Sequence, residues 1–180
     1  MNKLKKLMIQ RRSKRNYNGQ AVKEEDLQEI IEAGLLAPTG RNLLPTEIIV
    51  VKERDMLEKL SHAKTAGSAL LKGAAAAIVV VGDCQKSDTW IEDGAIMMAY
   101  MQLMAENLGV GNCWVQIRNR DAQKMELESA VSSQQYVRAA LHIPEQFGIL
   151  AILALGMSDE IRAPHTAEDL DEGRRHKEVF

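Results

Sequence analysis

The chain has 180 residues, 46% hydrophobic and 27% charged, which predicts one folded domain over residues 1–180 with a real core and excludes a disordered chain. Its net charge of -2 excludes a surface built as a whole for nucleic acid, so any anion site must be local. Only 4% of the residues are aromatic while nine are Met, which points to a helix-rich interior rather than a β-sandwich.

In chain order, Leu4, Leu7 and Met8 fall at helical spacing and predict a short first helix ending near the basic run Arg11-Arg12-Ser13-Lys14-Arg15, itself a loop. This N-terminal stretch has neither a continuous apolar core nor a small-residue cleavage site, so no signal peptide is expected. Lys23 to Asp26 opens a second helix whose apolar face is Leu27, Ile30, Ile31, Gly34 and Leu35, and Pro38 stops it. Ala37 to Pro45 should be a fixed turn, Glu47 to Val51 a strand and Asp55 to Ala66 a helix. Ser68 to Lys72 reads as a short turn before a buried strand, Ala76 to Val81, within an apolar run too short to span a bilayer. From Trp90 to Leu108 the apolar residues lie nearly all round a helix, predicting burial on every side, at a subunit interface in so small a domain. Gly109-Val110-Gly111 ends it, Cys113 to Ile117 is a strand, Val131 to Leu141 a helix and Ile149 to Leu155 a final strand closed by Gly156. The polar tail Ser158 to Phe180 is expected to wrap over a partner. Strands separated by helices, with a single sheet, define an α+β or α/β layered fold.

Four cations and a hydroxyl within residues 11–15 suit a phosphate dianion, because guanidinium forks offer paired donors and serine adds a directional one. A solvated charge run or a nucleic-acid patch fits the same residues. Asn42, in the turn Pro38-Thr39-Gly40-Arg41-Asn42, carries a donor and an acceptor that suit the edge of a heteroaromatic ring, and equally suits a plain turn. Gly109-Val110-Gly111 follows a helix and has Trp114 where a third glycine would stand, so it is a helix cap and not a dinucleotide fingerprint. Met97, Met101 and Met104 read as core or dimer packing, and Cys113 as a buried apolar residue. Glu92 and Asp93 fit the first turn of the long helix. Cys84, Cys113 and the histidines His62, His142, His165 and His176 show no metal-ligand spacing or triad, so no metal is expected and a reduced, cytoplasmic protein is.

Taken in order, these segments resemble the FMN-dependent nitroreductase family over nearly the whole chain. The resemblance is carried by Arg-Arg-Ser-x-Arg near the N-terminus, by Ala-Pro-Thr-Gly-Arg-Asn-x-x-Pro, and by the long helix running into Glu106-Asn107-Leu108-Gly109-Val110-Gly111-Asn112-Cys113-Trp114. The Ile143-Pro144-Glu145 turn with its strand to Gly156 and the pair Arg174-Arg175 complete it. It implies an α+β, three-layer fold with a central mixed sheet flanked by helices, and a homodimer whose C-terminal extensions wrap the partner and whose two chains both contribute to each FMN cleft. By position, Arg11, Arg12, Ser13 and Arg15 would hold the phosphate and ribityl chain, joined by Arg174 or Arg175. Asn42 would approach the polar edge of the isoalloxazine, and Gln116 the region of flavin N5. Leu44 stands where the family usually has glutamine, implying a more apolar pocket, and the tail is shorter than usual.

The activity so implied is two-electron reduction of a small-molecule acceptor such as a nitroaromatic or quinone, in two steps, with NADH or NADPH reducing the flavin and then leaving. The cofactor carries that chemistry, so no catalytic side chain is required. Related folds also support dehalogenation, flavin cleavage and azoline oxidation. A nucleic-acid-binding module using the basic loop is the alternative from another class, against which the overall acidity argues; no membrane partner is expected.

Overall fold

The structure, a computed structural model, describes residues 2–122 and 131–180. Asn2 Oδ1 accepts from the N–H of Leu4 at 2.8 Å and starts helix α1 (Lys3–Gln10), satisfying a donor that a helix N-terminus otherwise leaves unpaired. Glu24, Glu25 and Asp26 fill the first turn of α2 (Glu24–Leu35), where the helix dipole favours carboxylates. There follow β1 (Thr46–Val51), α3 (Arg54–Leu60), β2 (Ala76–Asp83), α4 (Trp90–Asn107), β3 (Gly111–Gln116), α5 (Ser133–Leu141) and β4 (Phe147–Gly156).

Element boundaries depart from expectation where side chains offer the main chain another partner. Helix α3 stops at Leu60, short of Ala66: Ser68 Oγ donates to Ser61 O (2.7 Å) and accepts from Lys64 N (3.1 Å), drawing the chain into a turn. Helix α5 begins on a reciprocal capping box between Ser132 and Gln135, and ends on His142 in the left-handed region before Pro144 is reached. Strand β4 is longer than expected because its first residue, Phe147, still pairs with Asp83.

The strands lie in the order β1-β2-β4-β3. All three pairings among them are antiparallel, so the mixed pairing expected of the sheet is not present within the described residues. Alternation along β2 splits the core into two layers. Val79 and Val81 face Leu57 and Leu60 of α3, Leu71 and Val137 of α5. Ile78 and Val80 face Ile30 of α2 and Met97, Met98 and Met101 of α4. A bulge opposite Val80 and Val81 makes Leu150 the extra residue of β4, and both Leu150 and Ala151 then face the α4 side. Its carbonyl receives the N–H groups of Ile117 (3.2 Å) and Arg118 (3.0 Å), which closes β3. The three-layer α+β architecture is therefore the one the sequence predicts.

Helix α4 is buried on one side only. Met97, Met98, Met101 and Ala105 are enclosed, whereas Ile96 and Tyr100 are 38% and 42% exposed, because α2 and the sheet cover a single face. The tail differs from expectation in its first part, which lies on its own chain. Asn18 N donates to Met157 O (2.9 Å), Ser158 Oγ to Asn16 O (2.6 Å) and His165 N to Ile9 O (2.9 Å). Residues 166–180 are exposed. Among the described residues no helix is long and apolar enough to cross a membrane.

Trp90, at the head of α4, closes one end of the sheet by lying on two facing glycines. A Cβ at Gly148 would stand 2.4 Å from its ring, and one at Gly82 2.5 Å. Gly148→Ala is expected to destabilise the protein by about 1–3 kcal/mol, read as a lowered midpoint in thermal or urea unfolding; an unchanged midpoint would show that Trp90 is free to move.

Candidate active site

Arg11 is the C-cap of α1, its N–H still bonded to Leu7 O (2.9 Å). From there the basic run crosses the start of β3, where Lys14 N donates to Asn112 O (2.9 Å). Gly111 permits this approach: a Cβ there would fall 2.8 Å from Gly156 O and 2.9 Å from Ser158 Cβ. Tyr17 packs on Gly156 and donates to Ala154 O (3.3 Å), and burial pushes its phenol far above the ordinary range.

Cys113 lies beneath the loop. Burial pushes its thiol up, opposed by the charge of Arg15, by a hydrogen bond from the Ser13 hydroxyl and by Arg11. Such a thiol stays protonated and is not a nucleophile. Glu106, in the last turn of α4, is likewise pushed up by burial against the pull of Lys14 and Arg11. On the outer side the loop borders a cleft of about 490 Å³ lined by Arg12, Lys14, Glu106, Glu160 and Arg162, among others. Arg12 is held by Ala163 O, to which its guanidinium donates. The three cations of that cleft are matched by three acids, Glu106, Asp159 and Glu160, whereas Arg11, Ser13 and Arg15 gather beside Cys113, a set of guanidinium forks and a hydroxyl that suits a phosphate.

The second candidate element is the turn after α2. Arg41, Asn42 and Leu44 all adopt left-handed conformations, with φ of 54°, 56° and 48°, each costing roughly 1–2 kcal/mol for a residue with a side chain. Four contacts hold the turn. Leu44 N donates to Thr39 Oγ1 (3.1 Å), Lys86 Nζ donates to Leu44 O (3.0 Å), and Arg41 pairs with Asp88. Gly40 N donates to Asp93 Oδ1 (2.8 Å), whose other oxygen accepts from Thr89 Oγ1 (3.3 Å). Asp93 is a buried carboxylate in the first turn of α4, as expected from the helix dipole, and it also anchors a turn 53 residues away. Strain retained in this way is characteristic of binding loops. Asn42 is exposed, and its own N–H bonds Thr39 O (3.1 Å).

The structure gathers Arg11, Arg12, Ser13 and Arg15 at the sheet end formed by Val51, Ala76, Gly111 and Gly156, and leaves Asn42 at the other, beside Thr46 and Gly82. These are also opposite edges of the sheet. Six strand residues and three strand spacings place them about 20 Å apart along the strands and about 14 Å across. Gln116, late in β3, accepts from Trp114 Nε1 (2.8 Å) and donates to Arg118 O (3.0 Å). Arg174 and Arg175 are exposed in the tail, and Arg175 pairs with Glu172 at 3.1 Å. The residues expected to share one site thus fall at separate places in a single chain. Sequence reasoning missed Glu160 and Arg162 as neighbours of the basic loop, and Asp93 as the anchor of the turn. All three act across more than 50 residues, and local pattern carries no signal for that.

A three-layer α+β fold with a basic loop at one sheet end and a strained turn at the other is the frame that comparison with known proteins identifies. A model described as the nitroreductase family matches residues 8–78 and 53–157. An Archaeoglobus fulgidus protein, described as a candidate NADH dehydrogenase/NAD(P)H nitroreductase, is 32% identical over 180 residues, covering 97% of each chain. The solved structure of an FMN-dependent nitroreductase from Clostridium difficile R20291 superposes with a TM-score of 0.90 at 38% identity, covering 97% of this chain and 98% of that one. At 22% identity and a TM-score of 0.75, a candidate nitroreductase from Desulfovibrio desulfuricans, solved in complex with FMN, shares the fold across the full length of this chain and 99% of its own. The chain belongs to the nitroreductase family, a family of oxidoreductases.

Asp93→Ala leaves the Gly40 N–H without its acceptor and is expected to destabilise the fold by about 1–3 kcal/mol while making residues 39–44 the first site of limited proteolysis. Cleavage unchanged in position and rate would mean that Thr39 and Lys86 hold the turn without it.

Proposed function

We propose that the protein is an FMN-dependent oxidoreductase that takes reducing equivalents from NADH or NADPH and passes them to a small, flat organic acceptor such as a nitroaromatic or a quinone. The observation that carries this reading is the basic loop itself, clamped between the end of the sheet and residues 157–165, with Arg11, Ser13 and Arg15 gathered beside Cys113. Its donor set fits the phosphate of a mononucleotide. Arg11, Arg12, Ser13 and Arg15 would hold the phosphate and ribityl chain, with a C-terminal arginine beside them. FMN, when bound, supplies two-electron hydride exchange at N5, first from the nicotinamide and then to the acceptor. The chain's own part is to bind, orient and shield. Its cations neutralise the phosphate, Asn42 offers both a donor and an acceptor to a heteroaromatic edge, and Gln116 lies at the end of the β3 segment that would approach N5. The exposed aliphatic side chain of Leu44 makes the rim of the turn apolar, which favours an aromatic acceptor over a charged one.

The active form would be a homodimer. The basic loop and the Asn42 turn are diagonally opposed in one chain, so a cleft that uses both takes them from two chains. The open face of α4 with Ile96 and Tyr100 is the surface available for that pairing, and Arg174 or Arg175 would reach a cleft from the exposed tail.

The purified protein is expected to be yellow, or to gain flavin absorbance with FMN, and to bleach on anaerobic titration with NADH or NADPH. Recovery of colour on adding a nitroaromatic or quinone would complete the cycle. A colourless protein that takes up no FMN would overturn the reading, and bleaching without acceptor turnover would move it to another flavin reaction. Arg15→Glu should weaken FMN retention about 10- to 100-fold, the loss expected for a charged hydrogen bond, as measured by equilibrium dialysis. Asn42→Ala should shift the flavin spectrum or potential more than retention, and an unaltered spectrum and potential would remove Asn42 from the ring edge.

A further inference from the structure

Residues 157–165 run back along residues 9–18 as a strap. Asn18 N bonds Met157 O (2.9 Å), Ser158 Oγ bonds Asn16 O (2.6 Å), the Arg12 guanidinium bonds Ala163 O and His165 N bonds Ile9 O (2.9 Å). Near its centre, Glu160 Oε2 accepts from two successive main-chain donors, Arg15 N at 2.7 Å and Asn16 N at 3.1 Å. Its other oxygen pairs with Arg162, and the side chain is only 11% exposed. Consecutive N–H groups aimed at one point form an anion-binding nest, and here the chain fills the nest with its own carboxylate.

That arrangement solves a mechanical problem. The basic loop has no helical or strand pairing of its own, and Arg11, Arg12, Lys14 and Arg15 repel one another. On the inner side Lys14 N is tied to Asn112 O. On the outer side Glu160 ties the next two residues and places Arg162 in the same cleft as Arg12 and Lys14. The donation from Arg15, with that of Asn16 and the neighbouring Arg162, holds the carboxyl below its ordinary range, so the anchor stays charged through neutral pH.

We infer that Glu160 is a positioning residue for the phosphate site: it fixes the main chain at Arg15 and Asn16 and the guanidinium of Arg162, so that the cations of the loop face a phosphomonoester together. This rests on the FMN reading. With its two amides and Arg162 occupied, Glu160 leaves phosphate recognition to the side chains of the loop, and its effect is confined to ligands that carry a phosphate.

FMN and riboflavin differ by that phosphate alone, so the test is their separate affinities, titrated by flavin fluorescence into the full-length protein depleted of flavin. Wild type is expected to bind FMN well above riboflavin. In Glu160→Ala the FMN affinity should fall at least tenfold while riboflavin stays within twofold. Glu160→Gln, which keeps an acceptor oxygen for the two amides, should recover part of the loss and guards against misfolding of the alanine variant. Equal weakening of both flavins would show a merely structural role, no change would show no role, and tighter FMN binding would show that Glu160 competes with the phosphate; each overturns the inference. If wild type takes up neither flavin the FMN reading itself falls, an outcome the wild-type arm reports independently of the variants.

Discussion

Four cations within five residues repel one another, and the loop they occupy borrows its shape from what lies on either side. The inner wall is the end of the sheet, where Gly111 and Gly156 face each other so closely that a methyl group at position 111 would collide with main chain. The outer wall is the strap of residues 157–165, whose Ser158, Glu160 and Ala163 bond the same short segment. Because β3 and β4 pair in register from Gly111 to Gln116, the position of the basic loop follows from the packing of the whole sheet. A charge cluster that would be an ordinary solvated run on a flexible peptide becomes a shaped surface only by being clamped.

The other end of the sheet shows the same economy. The turn at Arg41, Asn42 and Leu44 carries backbone strain, and Asp93 reaches it from α4 as one of the four contacts that hold it. That helix therefore links three tasks. Its inner face fills the core with Met97, Met98 and Met101, its first turn holds the Asn42 turn through Asp93, and its last turn sets Glu106 against the basic loop. A displacement of α4 would be felt at both ends of the sheet, which is a physical reason for two distant candidate elements to keep a constant relation.

Much of this was legible from the order of residues. The β-branched run of β2, the glycines ending α4 and the acidic first turn of α2 each act through neighbours within a few positions, and each element appears close to where the sequence places it. What was not legible depends on long-range partners. Helix α3 ends early because Ser68 recaptures Ser61. The apolar circumference of α4 predicted burial on every side at a subunit interface, and one chain by itself covers one face, leaving Ile96 and Tyr100 on the other. Glu160 looked like one acid in a polar tail, since its partners at Arg15 and Asn16 lie 145 and 144 residues away. Local periodicity records which face is apolar, and it is silent on which distant segment will meet it.

Among the described residues, the titratable side chains packed beneath the basic loop are chemically quiet. Cys113 is buried, protonated and hydrogen-bonded by Ser13, and Tyr17 is locked on Gly156 with its phenol far from ionising. Burial pushes the Glu106 carboxyl up, against the pull of Lys14 and Arg11. Neither Cys113 nor Tyr17 offers a ready nucleophile or base beside the basic loop, which leaves a chemically quiet cleft next to four cations. Such a cleft is of little use to an enzyme that must supply its own acid, base or nucleophile. It is well matched to a phosphorylated cofactor that brings its own redox chemistry and needs only to be held.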